Sequence, residues 1–313
     1  MKVLVLGGDG FIGSHFVDQA LSLGHEITVF DRFRNQVSMN LEHQRGKIRF
    51  ISGEFANRDD LLKSLEGQEV VYHFICATTP ADSWNDPFIE IKENLENSIR
   101  LFKLAVSQGV RKIVFPSSGG TVYGPQNEGV GESSTPQPLS PYGITKLATE
   151  HFLHYFHDHD NIEADIYRIG NAYGPRQSVH RPQGVIAVWI RDILRDSEIQ
   201  VYGDQTTLRD YVYIGDIAYL MTNSLLEPES SDVYNIGTGV GTSVIRLLEI
   251  FKEVVDKPFR YCVHSRRSSD NTSIILDSSK LVARFPGFTY QKLEDKIQES
   301  WDYFKTRYSK TLA

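Results

Sequence analysis

The chain has 313 residues, 40% apolar and 23% charged, which is ample for a globular core in one or two domains. Its formal net charge of −7 argues against general affinity for nucleic acid or anionic membranes, so local Lys and Arg must meet any bound anion. Cys76 and Cys262 stand in no paired motif, and no run of about 18 apolar residues could span a bilayer, so the expectation is a cytoplasmic protein without disulfides or Cys-based zinc.

Short apolar runs alternate with amphipathic ones through the first half. Val3 to Leu6 reads as a buried strand, Gly13 to Leu23 as a helix, and Glu26 to Phe30 and Lys47 to Ser52 as strands. Helix Asp59 to Leu65, strand Val70 to Phe74, a long helix Phe88 to Gln108 and strand Lys112 to Pro116 follow. A helix from Tyr142 to His157 and a strand from Ala164 to Ile169 complete the series. Strands that are apolar throughout, separated by helices, indicate α/β organisation with a parallel sheet covered on both faces. After Tyr173-Gly174-Pro175 the pattern loosens. We therefore expect a dinucleotide-binding domain over 1–170, with a return at about 208–236, and a smaller, interleaved C-terminal substrate domain over 171–207 and 237–313.

Gly7-Gly8-Asp9-Gly10-Phe11-Ile12-Gly13 lies directly between the first strand and the first helix. Glycines there allow a tight turn, close approach of the backbone to a pyrophosphate, and close packing of helix on strand. The helix N-terminus offers free N–H groups to the phosphates. Asp31 closes the second strand, where a carboxylate accepts from ribose hydroxyls and repels a 2′-phosphate, favouring NAD over NADP. Arg32 and Arg34 are the counter-indication, because either could receive a 2′-phosphate.

In Ser140-Pro141-Tyr142-Gly143-Ile144-Thr145-Lys146, Tyr142 and Lys146 are four residues apart and share one helix face. An ammonium near a phenol favours the phenolate, so Tyr142 is the candidate acid–base and Lys146 its partner.

These motifs resemble the nucleotide-sugar epimerase/dehydratase family of extended short-chain dehydrogenases, close in pattern to the UDP-glucose/UDP-galactose 4-epimerases. The similarity runs through Tyr72-His73-Phe74, Asn94, Ser117 to Gly124, Arg168 to Arg176, Tyr202-Gly203-Asp204, Arg209-Asp210-Tyr211, Asn235-Ile236-Gly237 and Arg267 to Asp270. The resemblance implies a Rossmann-type doubly wound sheet. It implies that NAD is held by Gly7, Gly10, Phe11, Ile12, Gly13, Asp31, Glu54, Phe55, Phe74, Cys76, Ser117, Tyr142 and Lys146. A nucleotide-diphosphate sugar, UDP rather than dTDP, would be held by Asn94, Asn171, Gln200, Tyr202, Arg209, Arg267 and Asp270. The two arginines match a diphosphate, since a planar guanidinium fork fits phosphate oxygens. It further implies a homodimer formed through the two long helices. In the galactose epimerases a residue seven beyond the second arginine walls the sugar pocket, and that position here is Ile274.

One departure bears on the chemistry. Most members carry Ser or Thr four residues before the VYG tyrosine, here Tyr123, and this chain has Gly119. Ser118 and Thr121 are the nearest hydroxyls and become catalytic candidates. Gly119-Gly120-Thr121 also lacks the acids found there in dehydratases and decarboxylases. What remains is 4-epimerisation of a UDP-hexose or UDP-N-acetylhexosamine through a 4-keto intermediate, or reduction of a 4-keto sugar with NAD(P)H. A non-catalytic dinucleotide-binding regulator is the alternative from another class. His151, His154, His157 and His159 read as a polar helix face, and no metal is expected.

Overall fold

The computed structural model describes residues 1–33, 38–125, 129–180, 184–203, 206–226, 231–265 and 273–308. The first half runs β1 (Lys2–Leu6), α1 (Phe11–Ser22), β2 (Glu26–Asp31), β3 (Arg49–Ser52), α2 (Arg58–Leu65) and β4 (Val70–His73). It continues with α3 (Pro80–Asn85), α4 (Pro87–Ile89), a π-helical turn Glu90–Glu96, α5 (Asn97–Ser107), β5 (Lys112–Ser118), α6 (Gly119–Val122), α7 (Pro141–Asp160) and β6 (Glu163–Ile169). Then come β7 (Asn171–Tyr173), α8 (Val185–Leu194), β8 (Ile199–Tyr202), β9 (Leu208–Tyr213), α9 (Ile214–Asn223) and β10 (Asp232–Ile236). The chain closes with β11 (Gly241–Ser243), α10 (Val244–Val254), β12 (Tyr261–His264), α11 (Ser279–Val282) and α12 (Leu293–Tyr308).

Seven strands form one sheet in the order β10-β6-β5-β4-β1-β2-β3, and the pairs from β3 through β2, β1 and β4 to β5 are parallel. The order 3-2-1-4-5-6 is that of a doubly wound Rossmann sheet, as expected. Val3 to Leu6 are fully buried, which is why this strand is apolar at successive positions. The core around them is built from Leu4, Phe30, Val71, Phe102, Phe115 and Ile166. No described helix is long and apolar enough to cross a membrane.

The expected single helix Phe88 to Gln108 is three pieces. Its middle widens into the π-helical turn, and the Asn97 side-chain amide donates to the carbonyls of Lys92 and Glu93, both at 3.1 Å. That amide reaches back one turn to two backbone carbonyls, so a side chain helps to hold the insertion. Helix α3 is an element that the apolar spacing does not announce; Pro80 occupies its first turn, and Thr79 and Asp82 form a reciprocal capping box.

The chain divides into two compact units. One comprises 1–122, 136–168 and 218–234, the other 123–135, 169–217 and 235–313. Residues 123–135 and 208–217, expected in the first, belong to the second. Val130 bridges Leu276, and β9 pairs with β7 and β11 in a three-stranded sheet. Within the second unit Trp189, Ile190, Leu247, Phe251, Trp301 and Phe304 share one core.

Candidate active site

The glycine loop of the first unit is shaped for close approach. Gly7 has φ +74°, and a Cβ there would lie 2.9 Å from the Ile75 nitrogen. At Gly13 a Cβ would meet the Gly7 carbonyl at 2.5 Å, so only glycine lets α1 pack this close. No side chain caps α1 and its first turn carries no acid. The N–H groups of Phe11, Ile12 and Gly13 therefore lack intrahelical acceptors and are available to an anion. Asp31 sits beside them, accepting from the N–H groups of Asp9 (3.1 Å) and Arg32 (2.8 Å). Burial raises its proton affinity, and those two bonds oppose the rise. The Asp9 carboxylate meanwhile accepts from Ser38 Oγ and from the N–H groups of Met39 and Asn40, fastening that segment to the loop. These features fit a dinucleotide. Glu54 is exposed, whereas the Phe55 ring is buried against His73, 5.0 Å between centroids, and Phe74 packs against Phe16 and Tyr72. Arg34 lies outside the described residues.

Helix α7 brings the second set together. Ser140 caps it by accepting from the Gly143 N–H at 3.1 Å, with Pro141 in the first turn. A Cβ on Gly143 would come within 2.7 Å of the Thr121 carbonyl, so the glycine lets the turn carrying Tyr142 abut Thr121. The Thr121 hydroxyl is buried and has no hydrogen-bond partner among the described residues. Ser118 closes β5 and is half-buried. Of the two hydroxyl candidates, the orphaned one is Thr121.

Lys146 Nζ donates to the Pro116 carbonyl at 2.9 Å and lies 4.6 Å from the Phe115 ring centroid and 5.8 Å from that of Tyr142. Four residues further along, Glu150 receives Arg168 through Nε (3.2 and 3.1 Å) and Nη2 (2.6 Å), and Ser117 Oγ also donates to it. Ser117, expected to contact cofactor, thus spends its hydroxyl on the buried ion pair that ties β5, α7 and β6.

Burial works against the phenolate that a neighbouring ammonium favours. Burial pushes the Tyr142 hydroxyl well above the ordinary tyrosine range, and Cys76 and Glu90 beside it act in the same direction. The Lys146 ammonium is engaged by the Pro116 carbonyl, and the Cys76 thiol donates to the Thr78 carbonyl at 3.4 Å.

A cavity of about 10 Å³ is lined by His73, Cys76, Glu90, Asn94 and Lys146, among others. That is room for roughly one water. Asn94, expected on the substrate, is committed to the protein: Oδ1 accepts from Ala77 N at 2.9 Å, and Nδ2 donates to Thr78 Oγ1 (2.9 Å) and Glu90 Oε2 (3.0 Å). Thr78 Oγ1 donates to Glu90 Oε1. Ser98 Oγ donates to the Asn94 carbonyl, so His73 Nε2 carries the proton shared with Ser98 at 2.9 Å. The buried His73 Nδ1 has no partner among the described residues. Burial, aided by Lys146, drives His73 down to about 3.

In the second unit, Asn171 donates to the Asp210 carbonyl at 3.3 Å, and Arg209 follows Leu208 on β9, with Ile274 bridged to it. Gln200 and Tyr202 on β8 both meet His264 of β12: Oε1 of Gln200 is 2.5 Å from the imidazole Nε2, and the Tyr202 ring stacks at 4.8 Å. Arg267 and Asp270 lie outside the described residues. Ile274 is 6% exposed. Asp210, inside the Arg-Asp-Tyr motif, is an internal brace that accepts from Thr238 N and Oγ1, Gly239 N and Leu276 N. Asn235 does the same for the VYG and NIG motifs, accepting from Tyr123 Oη (2.8 Å) and donating to the carbonyls of Val130 and Asp277. No group of three or more His, Cys, Asp or Glu suited to a metal occurs among the described residues.

Sequence reasoning missed Glu90, Thr78 and Glu150. Glu150 lies eight residues beyond Tyr142 and Glu90 four before Asn94, so helix-face spacing was the available signal.

A sequence profile for the NAD dependent epimerase/dehydratase family matches residues 3–237. The UDP-glucose 4-epimerase of Mycolicibacterium smegmatis is 31% identical over 314 residues, covering 98% of this chain and 99% of that protein. A crystal structure of UDP-glucose 4-epimerase from Thermotoga maritima with UDP-glucose superposes with a TM-score of 0.87 at 32% identity, covering 98% and 99% of the two chains. The UDP-N-acetylglucosamine 4-epimerase of Methanobrevibacter ruminantium, in complex with UDP-N-acetylmuramic acid, gives 0.89 at 28% identity, covering 98% of each.

Proposed function

Because this chain belongs to the NAD-dependent epimerase/dehydratase family, we propose that it is a UDP-sugar 4-epimerase. Its cofactor is NAD, cradled by the glycine loop with Asp31 at the adenosine ribose. The observation that carries the reading is Tyr142 and Lys146 on one helix, with Lys146 Nζ 5.8 Å from the Tyr142 ring. The first turn of that helix abuts the backbone of Thr121, a residue with a buried partnerless hydroxyl, and there is no acid at 119–121. As phenolate, Tyr142 would take the proton of the sugar 4-hydroxyl and return it to the same oxygen once the 4-keto sugar has turned its other face to the cofactor. Thr121 hydrogen-bonds that hydroxyl in place of the serine that Gly119 replaces. Lys146, fixed by Pro116, holds positive charge near the phenol and orients the nicotinamide ribose. NAD, when bound, supplies the hydride acceptor and, in its oxidised form, a positively charged ring. Arg209 and Arg267 clamp the diphosphate, and Asp270 the nucleoside ribose. Substrates are UDP-hexoses or UDP-N-acetylhexosamines, with Ile274, shorter than Tyr, at the sugar wall.

The enzyme works as a cytoplasmic homodimer through the helices that expose Phe88, Ile91, Ile144 and Tyr155, each at least half exposed. Tyr142→Phe should lower turnover by about 10²–10⁴-fold while NAD stays bound, measured by steady-state rates and by cofactor content after denaturation. Loss of less than about tenfold on that scale would assign the base elsewhere.

A further inference from the structure

Glu90 is 1% exposed, and nothing in the proposed chemistry uses it. The π-helical turn places it and Asn94 toward the cavity that Lys146 also lines. Both of its oxygens accept hydrogen bonds, from the neutral groups of Thr78 and Asn94, which is the pattern of an ionised carboxylate. The remaining titratable groups at this cavity are His73 and Cys76 from β4 and the loop after it. Tyr142 stands on α7, and α3, which packs on α7, keeps Asp82 in its capping box. A carboxylate and an ammonium thus face one water-sized space; the ammonium lies 5.8 Å from the Tyr142 ring centroid, and the turn carrying the carboxylate packs against the helix that carries Tyr142. Their fields on that phenol oppose each other: the ammonium favours phenolate, the carboxylate disfavours it.

We propose that Glu90 is a positioning residue of the reaction, its carboxylate opposing the Lys146 ammonium across the cavity and so setting how readily Tyr142 gives up its proton. This rests on the reading of Tyr142 as the base. It also gives the π-helical turn a purpose, since a regular α-helix there would shift Glu90 and Asn94 around the helix axis and break their shared engagement of Thr78.

The test is the pH dependence of kcat/KM, whose acid limb reports the base of the free enzyme. Glu90→Gln can keep both hydrogen bonds, because the Thr78 hydroxyl can accept as well as donate. With the opposing charge gone, the acid limb should move to lower pH by about one unit. Glu90→Asp, which retains the charge, should bring it back toward wild type. Thr78→Val, which removes the hydroxyl that fixes Glu90 Oε1 at the cavity, should move the limb the same way by less. That variant serves if Glu90→Gln does not fold, judged by its thermal midpoint and bound NAD. An acid limb that stays in place in folded Glu90→Gln or Thr78→Val overturns the proposal, as does an equal shift in Glu90→Asp. Active Tyr142→Phe would defeat the base reading itself. Inactive Tyr142→Phe with an unmoved Glu90→Gln profile would defeat only the role of Glu90.

Discussion

Glu90 and Glu150 are equally buried, each 1% exposed, Glu150 on the helix that carries Tyr142 and Lys146 and Glu90 on the turn packed against that helix, yet they are solvated in opposite ways. Glu150 is neutralised by a bidentate Arg168 and a serine hydroxyl. Glu90 has an alcohol and an amide. A carboxylate matched by a guanidinium has its field spent locally and serves to join β5, α7 and β6. One held by neutral dipoles keeps its charge available to neighbours. Burial alone does not separate a brace from a tuning group; the partner does.

The largest effect should come from breaking the brace. Arg168→Met leaves the Glu150 charge buried and uncompensated, and should cost about 3–5 kcal/mol in chemical denaturation. A loss under about 1 kcal/mol, typical of an exposed pair, would place Glu150 in water and end the contrast.

Next is His73, in the wall of the same cavity. Its folded value of about 3 lies below the unfolded 6.5, so below pH 6.5 the unfolded chain takes up a proton that the folded chain refuses. Stability from this group is complete above that pH and falls by about 1.4 kcal/mol per pH unit on acidification toward the folded value. His73→Gln, whatever it loses in packing, should show a shallower decline between pH 6 and pH 4, a range set by the two values. An unchanged slope would mean that the imidazole charges in the folded protein. Smallest is the stability change in Glu90→Gln, expected within about 1 kcal/mol because its hydrogen bonds can be kept. A loss as large as that of Arg168→Met would make Glu90 a second brace.

The alternation of strands and helices, the glycine loop and the Tyr142/Lys146 face were all legible in residue types and spacing. Each is a local pattern. What spacing could not divide was the chemistry of polar motif residues. Asn94, Ser117, Asp210 and Asn235 sit in motifs beside residues proposed to bind ligand, yet their side chains hold other parts of the protein. A sequence gives donor and acceptor types but not which group across the fold meets them. The π-helical turn was hidden for a different reason: its Asn97 amide bonds are local, to Lys92 and Glu93, but one asparagine in an amphipathic run does not announce a wider turn. Glu90, charged and inside an amphipathic run, reads as a solvent-facing residue until tertiary contacts enclose it.

The central claim, a 4-epimerase in which one carbon is oxidised and then reduced within the same site, is tested most directly by a label at that carbon. UDP-glucose carrying deuterium at C4 is incubated with the purified enzyme without added cofactor, and the product is examined by mass spectrometry and NMR. The predicted product is UDP-galactose of unchanged mass with deuterium still at C4. Loss of the label, or turnover of 4-keto sugars alone with added NAD(P)H and a gain of two hydrogens, would contradict it.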